Sequence, residues 1–218
     1  MKYNRNYEYF LFDLDGTLTD PGLGITNSVM HALKKYGIDV PDREKLYPFI
    51  GPPLIDSFMK YYGFSHEEAV KGVEYYREYF RDRGIFENTM YEGIPEVLEK
   101  LKAMGKKIVL CTSKPDEFAV TILKHFDLYQ FFDFIGAATM NEERTKKVEV
   151  INYAIEELGI RDRGTVLMIG DRDQDIQGAK EAGVDSVGVL YGYGSREELQ
   201  KACYLAKTPE EILPEQEI

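Results

Sequence analysis

With 218 residues, 44% of them apolar and 30% charged, the chain can bury one full-sized core plus a modest insertion and is too apolar for disorder. A formal net charge of -11 argues against a nucleic-acid partner, whose phosphates require a Lys/Arg-rich face, and obliges any phosphate site to carry its own local positive charge. No apolar stretch reaches the ~18 residues of a membrane span, residues 1–6 lack the shape of a signal peptide, and Cys111 and Cys203 form neither a metal pattern nor a disulfide framework. A cytoplasmic protein without a membrane partner is expected.

In chain order, the first apolar run is Tyr9–Phe12, followed by Asp13-Leu14-Asp15-Gly16-Thr17. From about residue 19 to residue 85 the pattern is helical, with no convincing strand. Ala69, Val73, Tyr76 and Phe80 trace a helix face, and Ser65-x-x-Glu68 reads as a capping box at its start. Asp20-Pro21-Gly22 and Arg83-Gly84 punctuate its ends, and Gly51-Pro52-Pro53 reads as a stiff turn within it. These helices either cover a sheet face or form a separate cap. The cap is favoured, because the connection is far longer than a usual crossover. Its tyrosines (Tyr61, Tyr62, Tyr75, Tyr76, Tyr79) read as packing residues.

Next come Ile94, Val97, Leu98 and Leu101 at helical spacing, then an apolar run over 108–111 followed by Thr112-Ser113-Lys114-Pro115. A third run covers 134–137. Lys146-Lys147 then opens a helix carrying Ile151, Ala154, Ile155 and Leu158. A fourth run, 166–169, ends in Gly170-Asp171-Arg172-Asp173-Gln174-Asp175, and a fifth covers 187–190. Short fully apolar runs alternating with amphipathic helices predict an open parallel α/β sheet with right-handed crossovers. The expected division is an α/β core of residues 1–18 and 86–218, with a helical insertion over 19–85.

Sites in such sheets lie at the carboxyl ends of the strands. Three strand ends therefore gather carboxylates, hydroxyls and a cation at one edge. Asp13 and Asp15, two apart, can start on one face. Close carboxylates repel unless a cation intervenes, and with Asp171 and Asp175 added the spot demands a hard, oxygen-seeking dication such as Mg²⁺. Thr112 and backbone N–H groups can hold phosphate oxygens, and a lysine can offset the remaining charge. Calcium-loop readings fail: position six is Leu18 or Ile176 and position twelve is Gly24 or Ala182. Gly22-Leu23-Gly24 lacks the third glycine of a dinucleotide fingerprint. His31, His66 and His125 lack ligand spacing.

Phe12-Asp13-Leu14-Asp15-Gly16-Thr17-Leu18 resembles the first motif of the haloacid dehalogenase superfamily. Thr112 resembles the second. Lys147, in Lys147-Val148-Glu149-Val150-Ile151, resembles the third as it stands in phosphoglycolate-phosphatase-like members. The run from Gly170 to Ala179 resembles the fourth. The likeness covers essentially the whole chain and implies a Rossmann-like core with an inserted helical cap that carries substrate choice. It implies Asp13 as nucleophile, Asp15 as acid and base, and Thr112 and Lys147 as phosphoryl ligands. It also implies Mg²⁺ on the carboxylates of Asp13 and Asp171 and the backbone carbonyl of Asp15, with Asp175 orienting the site from behind. Ser113, Arg144 and Gly51 are further candidates for substrate contact, and Lys146 remains a rival to Lys147. Because Asp15 is present, a leaving group that needs a proton is implied rather than a halide.

The expected activity is Mg²⁺-dependent hydrolysis of a small phosphate monoester, phosphoglycolate or a nucleoside 5'-monophosphate, through an aspartyl-phosphate, by a monomer or weak homodimer. The alternatives are a phosphomutase of the β-phosphoglucomutase kind and a non-catalytic phosphate-binding module.

Overall fold

The computed structural model describes residues 6–141 and 144–214. The reading of the N-terminus as lacking the shape of a signal peptide rests on residues 1–6, of which 1–5 lie outside the described residues. The chain divides into two compact units, residues 1–19 with 90–218 and residues 20–89.

Among the described residues, the first unit is built on a sheet of six strands, β1 (Tyr9–Phe12), β4 (Lys107–Pro115), β5 (Phe134–Ala138), β6 (Val166–Gly170), β7 (Asp185–Val189) and β8 (Tyr204–Ala206), while the two-residue strands β2 (Thr19–Asp20) and β3 (Thr89–Met90) pair with each other. The six run in the order β5-β4-β1-β6-β7-β8, and every neighbouring pair is parallel. The last strand was not foreseen: three residues with half-buried Tyr204 and Leu205 give too short a run to read. The helices are α4 (Ile94–Ala103), α5 (Asp116–His125), α6 (Lys147–Glu157), α7 (Asp173–Glu181) and the short α8 (Arg196–Leu199).

Parallel pairing needs a covering layer on each face, and that is why the strands are apolar throughout. Leu11, Val109, Cys111, Val166 and Met168 pack against Val150, Ile151, Ala154 and Ile155 of α6 and Ala179 of α7. The alternate residues, Phe10, Phe12, Ile108, Leu110, Leu167 and Ile169, are equally inaccessible on the other face. Cys111 is a core residue, and burial pushes its thiol well above the usual range, so it is inert. No described helix is long and apolar enough to cross a membrane.

The second unit holds α1 (Gly22–Lys35), a 3-10 turn (Arg43–Phe49), α2 (Leu54–Tyr62), α3 (His66–Tyr79) and a π-turn (Phe80–Gly84). The Ser65–Glu68 capping box forms in full: Ser65 Oγ accepts from Glu68 N–H (3.2 Å) and Glu68 Oε2 accepts from Ser65 N–H (2.8 Å). Phe49, Phe58, Tyr61, Tyr62 and Phe64 form an aromatic cluster, with Phe49 edge-on to Phe58 at 5.1 Å. Asp20-Pro21-Gly22 falls at the start of the helical unit, where Gly22 opens α1. Gly24 serves packing, because a Cβ there would lie 1.9 Å from the Gly84 carbonyl oxygen. The unit also runs past residue 85, to Thr89. Glu87 ties the extra residues back: its carbonyl accepts from Gly24 N–H (3.0 Å) and its carboxylate from Asn27 Nδ2 (2.8 Å) and Tyr79 OH (3.0 Å).

Candidate active site

Register decides what meets at the rim. Phe12 of β1 lies level with Leu110 of β4 and Ile169 of β6, so the residues that follow these three positions emerge side by side. Asp13 N–H donates to the Ile169 carbonyl (2.9 Å). β1 is central, and the chain turns outward from it in both directions, so this rim is the switch point where α/β sheets leave a crevice. Lys147 opens α6 and Asp175 sits in the first turn of α7.

Asp13, Asp171 and Asp175 are all buried and each offers a carboxylate oxygen, these atoms lying within 4.8 Å of one another. Lys147 Nζ stands 2.8 Å from both Asp13 Oδ1 and Asp175 Oδ1 and donates to the Cys111 carbonyl (3.0 Å). Both contacts pair an ammonium with a buried carboxylate at charge-pair distance. Burial alone would lower the lysine's pKa, but Asp13 and Asp175 outweigh it and hold the ammonium charged. Asp175 Oδ2 accepts from Arg172 N–H (3.0 Å), tying down the start of α7. Its carboxyl is pushed up to about 6 by burial, against the pull of Lys147. Asp171 rises well above the carboxylate range through burial and then through the charges of Asp175 and Asp13. Its Oδ2 accepts from Tyr193 N–H (2.8 Å), and Thr17 Oγ1 lies 3.4 Å from its Oδ1.

Asp15 is held differently. Its Oδ2 receives Lys114 Nζ at 2.6 Å, while its Oδ1 is buried with no hydrogen-bond partner among the described residues. Burial raises its pKa, and Lys114 only partly offsets this. Between Asp15 and Asp171 stands Gly16 at φ +81°, where a Cβ would lie 2.2 Å from Asp171 Oδ2. Only glycine allows this turn and this approach.

The buried charged residues are Asp13, Asp15, Asp171 and Asp175 against Lys114 and Lys147. With every carboxyl ionised, these buried groups among the described residues would carry two net negative charges, and the donors of the three-aspartate group are all oxygen. This donor set and charge suit one hard divalent cation. The carboxylate of Asp15 is turned to Lys114 and stands outside the three-aspartate group, which leaves only its backbone carbonyl for a metal.

Of the other residues singled out from sequence, Thr112 is buried at the end of β4 and its hydroxyl oxygen accepts from Lys114 N–H (3.2 Å). Ser113 is half-buried beside it. Lys147 is buried in the cluster and Lys146 is exposed, which separates the two. Arg144 is engaged elsewhere than at this cluster. At φ +55° its Nε donates to the Ala137 carbonyl (3.0 Å) and its guanidinium lies 3.7 Å from the centre of the Tyr153 ring. Gly51 lies in the helical unit, before α2, at φ +103°.

Sequence reasoning placed Lys114 at the rim but gave it no partner or role, and it missed the loop after β7. Lys114 follows Thr112 by two, but only the slip in β4–β5 register between Thr112 and Pro115 aims it. Tyr191-Gly192-Tyr193-Gly194 carried a readable signal, glycines at a strand end. A Cβ on Gly192 would lie 2.4 Å from Asp171 Cβ and one on Gly194 1.9 Å from the Asp171 carbonyl oxygen.

The model of the family "Haloacid dehalogenase-like hydrolase" matches residues 10–189. A 5'-nucleotidase of Pseudomonas aeruginosa is 46% identical over 89% of this chain and 87% of its own length. Tyrosine-protein kinase PtkA of Mycobacterium tuberculosis is 36% identical over 88% of this chain, which spans 65% of that longer protein. Among solved structures, a predicted phosphatase from Clostridium acetobutylicum superposes with a TM-score of 0.92 at 46% identity, covering 94% of this chain and 96% of its own. With the four motifs gathered at one rim, these matches establish that the chain belongs to the haloacid dehalogenase-like hydrolases, among their phosphatases.

Proposed function

We propose that the chain hydrolyses a small phosphate monoester in two steps, with Mg²⁺ as its cofactor. In the first, an oxygen of Asp13 bonds to phosphorus, the bond from phosphorus to the leaving oxygen breaks, and Asp15 gives that oxygen its proton. In the second, a water molecule loses a proton to Asp15 as its oxygen bonds to phosphorus. The bond from phosphorus to Asp13 then breaks and inorganic phosphate is freed. Both carboxyl groups return to their starting states. Lys147 and the Thr112 hydroxyl hold the phosphoryl oxygens and offset their charge. Asp13, Asp171 and the Asp15 carbonyl would hold the ion, with Asp175 orienting them; when bound, it neutralises the crowded carboxylates and polarises the phosphoryl group.

The observation that carries this reading is the contrast within one buried rim: three aspartates crowd together, two of them, Asp13 and Asp175, on one ammonium, while Asp15 stands apart on its own lysine with its pKa raised, as a proton donor needs. Nucleoside 5'-monophosphates come first among substrates, supported by the Pseudomonas aeruginosa relative, and phosphoglycolate second. The enzyme would act in the cytoplasm as a monomer or weak homodimer.

The test is turnover of p-nitrophenyl phosphate with and without Mg²⁺, beside Asp13→Asn. Loss of about 10³-fold or more is expected in the variant. Full activity in it would end the nucleophile assignment. Release of one inorganic phosphate per substrate consumed separates hydrolysis from a phosphomutase.

A further inference from the structure

We propose that Lys114 is a positioning residue for Asp15: it selects which carboxyl oxygen carries the proton delivered to the leaving group. The inference rests on the two-step reading above.

A lysine is almost never buried without a partner. Lys114 is 8% exposed and Asp15 7%, and their contact is short, Nζ to Oδ2 at 2.6 Å. An ammonium has only donors to offer. Oδ2 must therefore remain an acceptor, and a proton there would point at another proton. The acidic proton of Asp15 is thereby confined to Oδ1, the oxygen left without a partner among the described residues. A carboxyl that could rotate freely would present the proton on the wrong side part of the time. Pinning one oxygen removes that loss.

The backbone is arranged to deliver this lysine. The register of β4 against β5 slips between Thr112 and Pro115, and such an irregularity at a sheet rim re-aims the side chains it carries. Lys114 N–H is tied to the Thr112 hydroxyl oxygen (3.2 Å), which fixes its main chain to a residue of the same rim. Lys147 occupies the space beside Asp13 and Asp175, so the two ammoniums divide the rim: one faces the nucleophile and the other the acid.

The test uses leaving groups. Phenyl phosphate departs as a basic phenoxide and needs a proton; 2,4-dinitrophenyl phosphate does not. Compared with wild type, kcat/KM, which covers only the steps up to departure of the leaving group, should fall in Lys114→Met by about 100-fold on phenyl phosphate and by less than about 3-fold on the dinitrophenyl ester. Inhibition by inorganic phosphate should be unchanged. Lys114→Arg, which keeps the charge, should recover most of the phenyl loss, and Lys114→Gln carries the same comparison as Lys114→Met should the Met variant not fold. Equal losses on both esters, no loss, or parallel weakening of phosphate inhibition would overturn the proposal, the last by making Lys114 a phosphate ligand. Asp15→Asn is run alongside. If it shows the leaving-group split and Lys114→Met does not, only the role of Lys114 falls. If wild type releases no phosphate from either ester, the phosphatase reading falls first.

Discussion

The two ends of strand β4 each carry a lysine–aspartate pair, and they behave in opposite ways. At the start of the strand, Asp133 meets Lys102 (3.0 Å), Lys107 (3.1 Å) and the N–H of Ile108 (2.9 Å). Burial pushes its pKa up, but these three donors outweigh it and hold the carboxyl below the ordinary range. At the far end, Asp15 meets Lys114 at a shorter distance, yet its pKa is raised. Asp133 keeps contact with water and has donors on both oxygens; Asp15 is buried and one of its oxygens has none. Desolvation therefore wins at one end and hydrogen bonding at the other. A close cation does not by itself make a carboxylate a structural anchor. The count of donors and the access of water decide whether it holds the fold or keeps a proton in reserve.

The largest effect should come from the part of the rim that is least balanced. Lys147→Met leaves Asp13 and Asp175 facing each other without their shared ammonium. Without divalent ions, urea unfolding should show a loss of about 3–5 kcal/mol, partly restored by Mg²⁺. Unchanged stability in the metal-free variant would mean that the ammonium does not carry the cluster's charge.

A smaller effect follows from pH. Asp175 and Asp171 have folded-state pKa values above the ordinary carboxylate value, Asp175 at about 6. The folded state thus binds more protons than the unfolded one. Stability from these groups is complete below the ordinary value near 3.8 and is lost as pH rises through the folded values. The metal-free protein should lose on the order of 2 kcal/mol between pH 5 and 8, and saturating Mg²⁺ should flatten that slope. A metal-free melting temperature that climbs over this range would contradict the crowding argument.

How much of this was legible beforehand follows from what each feature depends on. The five longer strands could be read because both of their faces are buried, so their residues are apolar without alternation. Asp13, Asp171, Asp175, Thr112 and Lys147 come together because they sit at strand ends or in the first turn of the helices beyond, and strand order alone brings those ends to one rim. Lys114 sits at a strand end as well, but its pairing with Asp15 could not be read in this way. Its direction depends on a slip of register in β4, which no residue type announces. The guanidinium of Arg144 was equally hidden, since a positive φ and a tyrosine nine residues on turn it to Ala137 and Tyr153. Strand β8 was too short to show a period.

The smallest predicted effect isolates the structural end of the comparison. Asp133→Asn keeps an oxygen for Ile108 N–H and removes only the charge that faces Lys102 and Lys107. Both lysines are well exposed, at 37% and 57%, and solvent screens them, so the cost at neutral pH should be no more than about 1 kcal/mol. Because the folded pKa is depressed, this contribution is present above the ordinary value near 3.8 and lost as pH falls through the folded one. Wild type and variant should therefore differ in urea midpoint at pH 7 and converge near pH 3, with phosphatase activity the same in both. If the gap persisted undiminished in acid, the charge of Asp133 would not be its cause, and the two ends of β4 would no longer differ in the way that donor count and water access require.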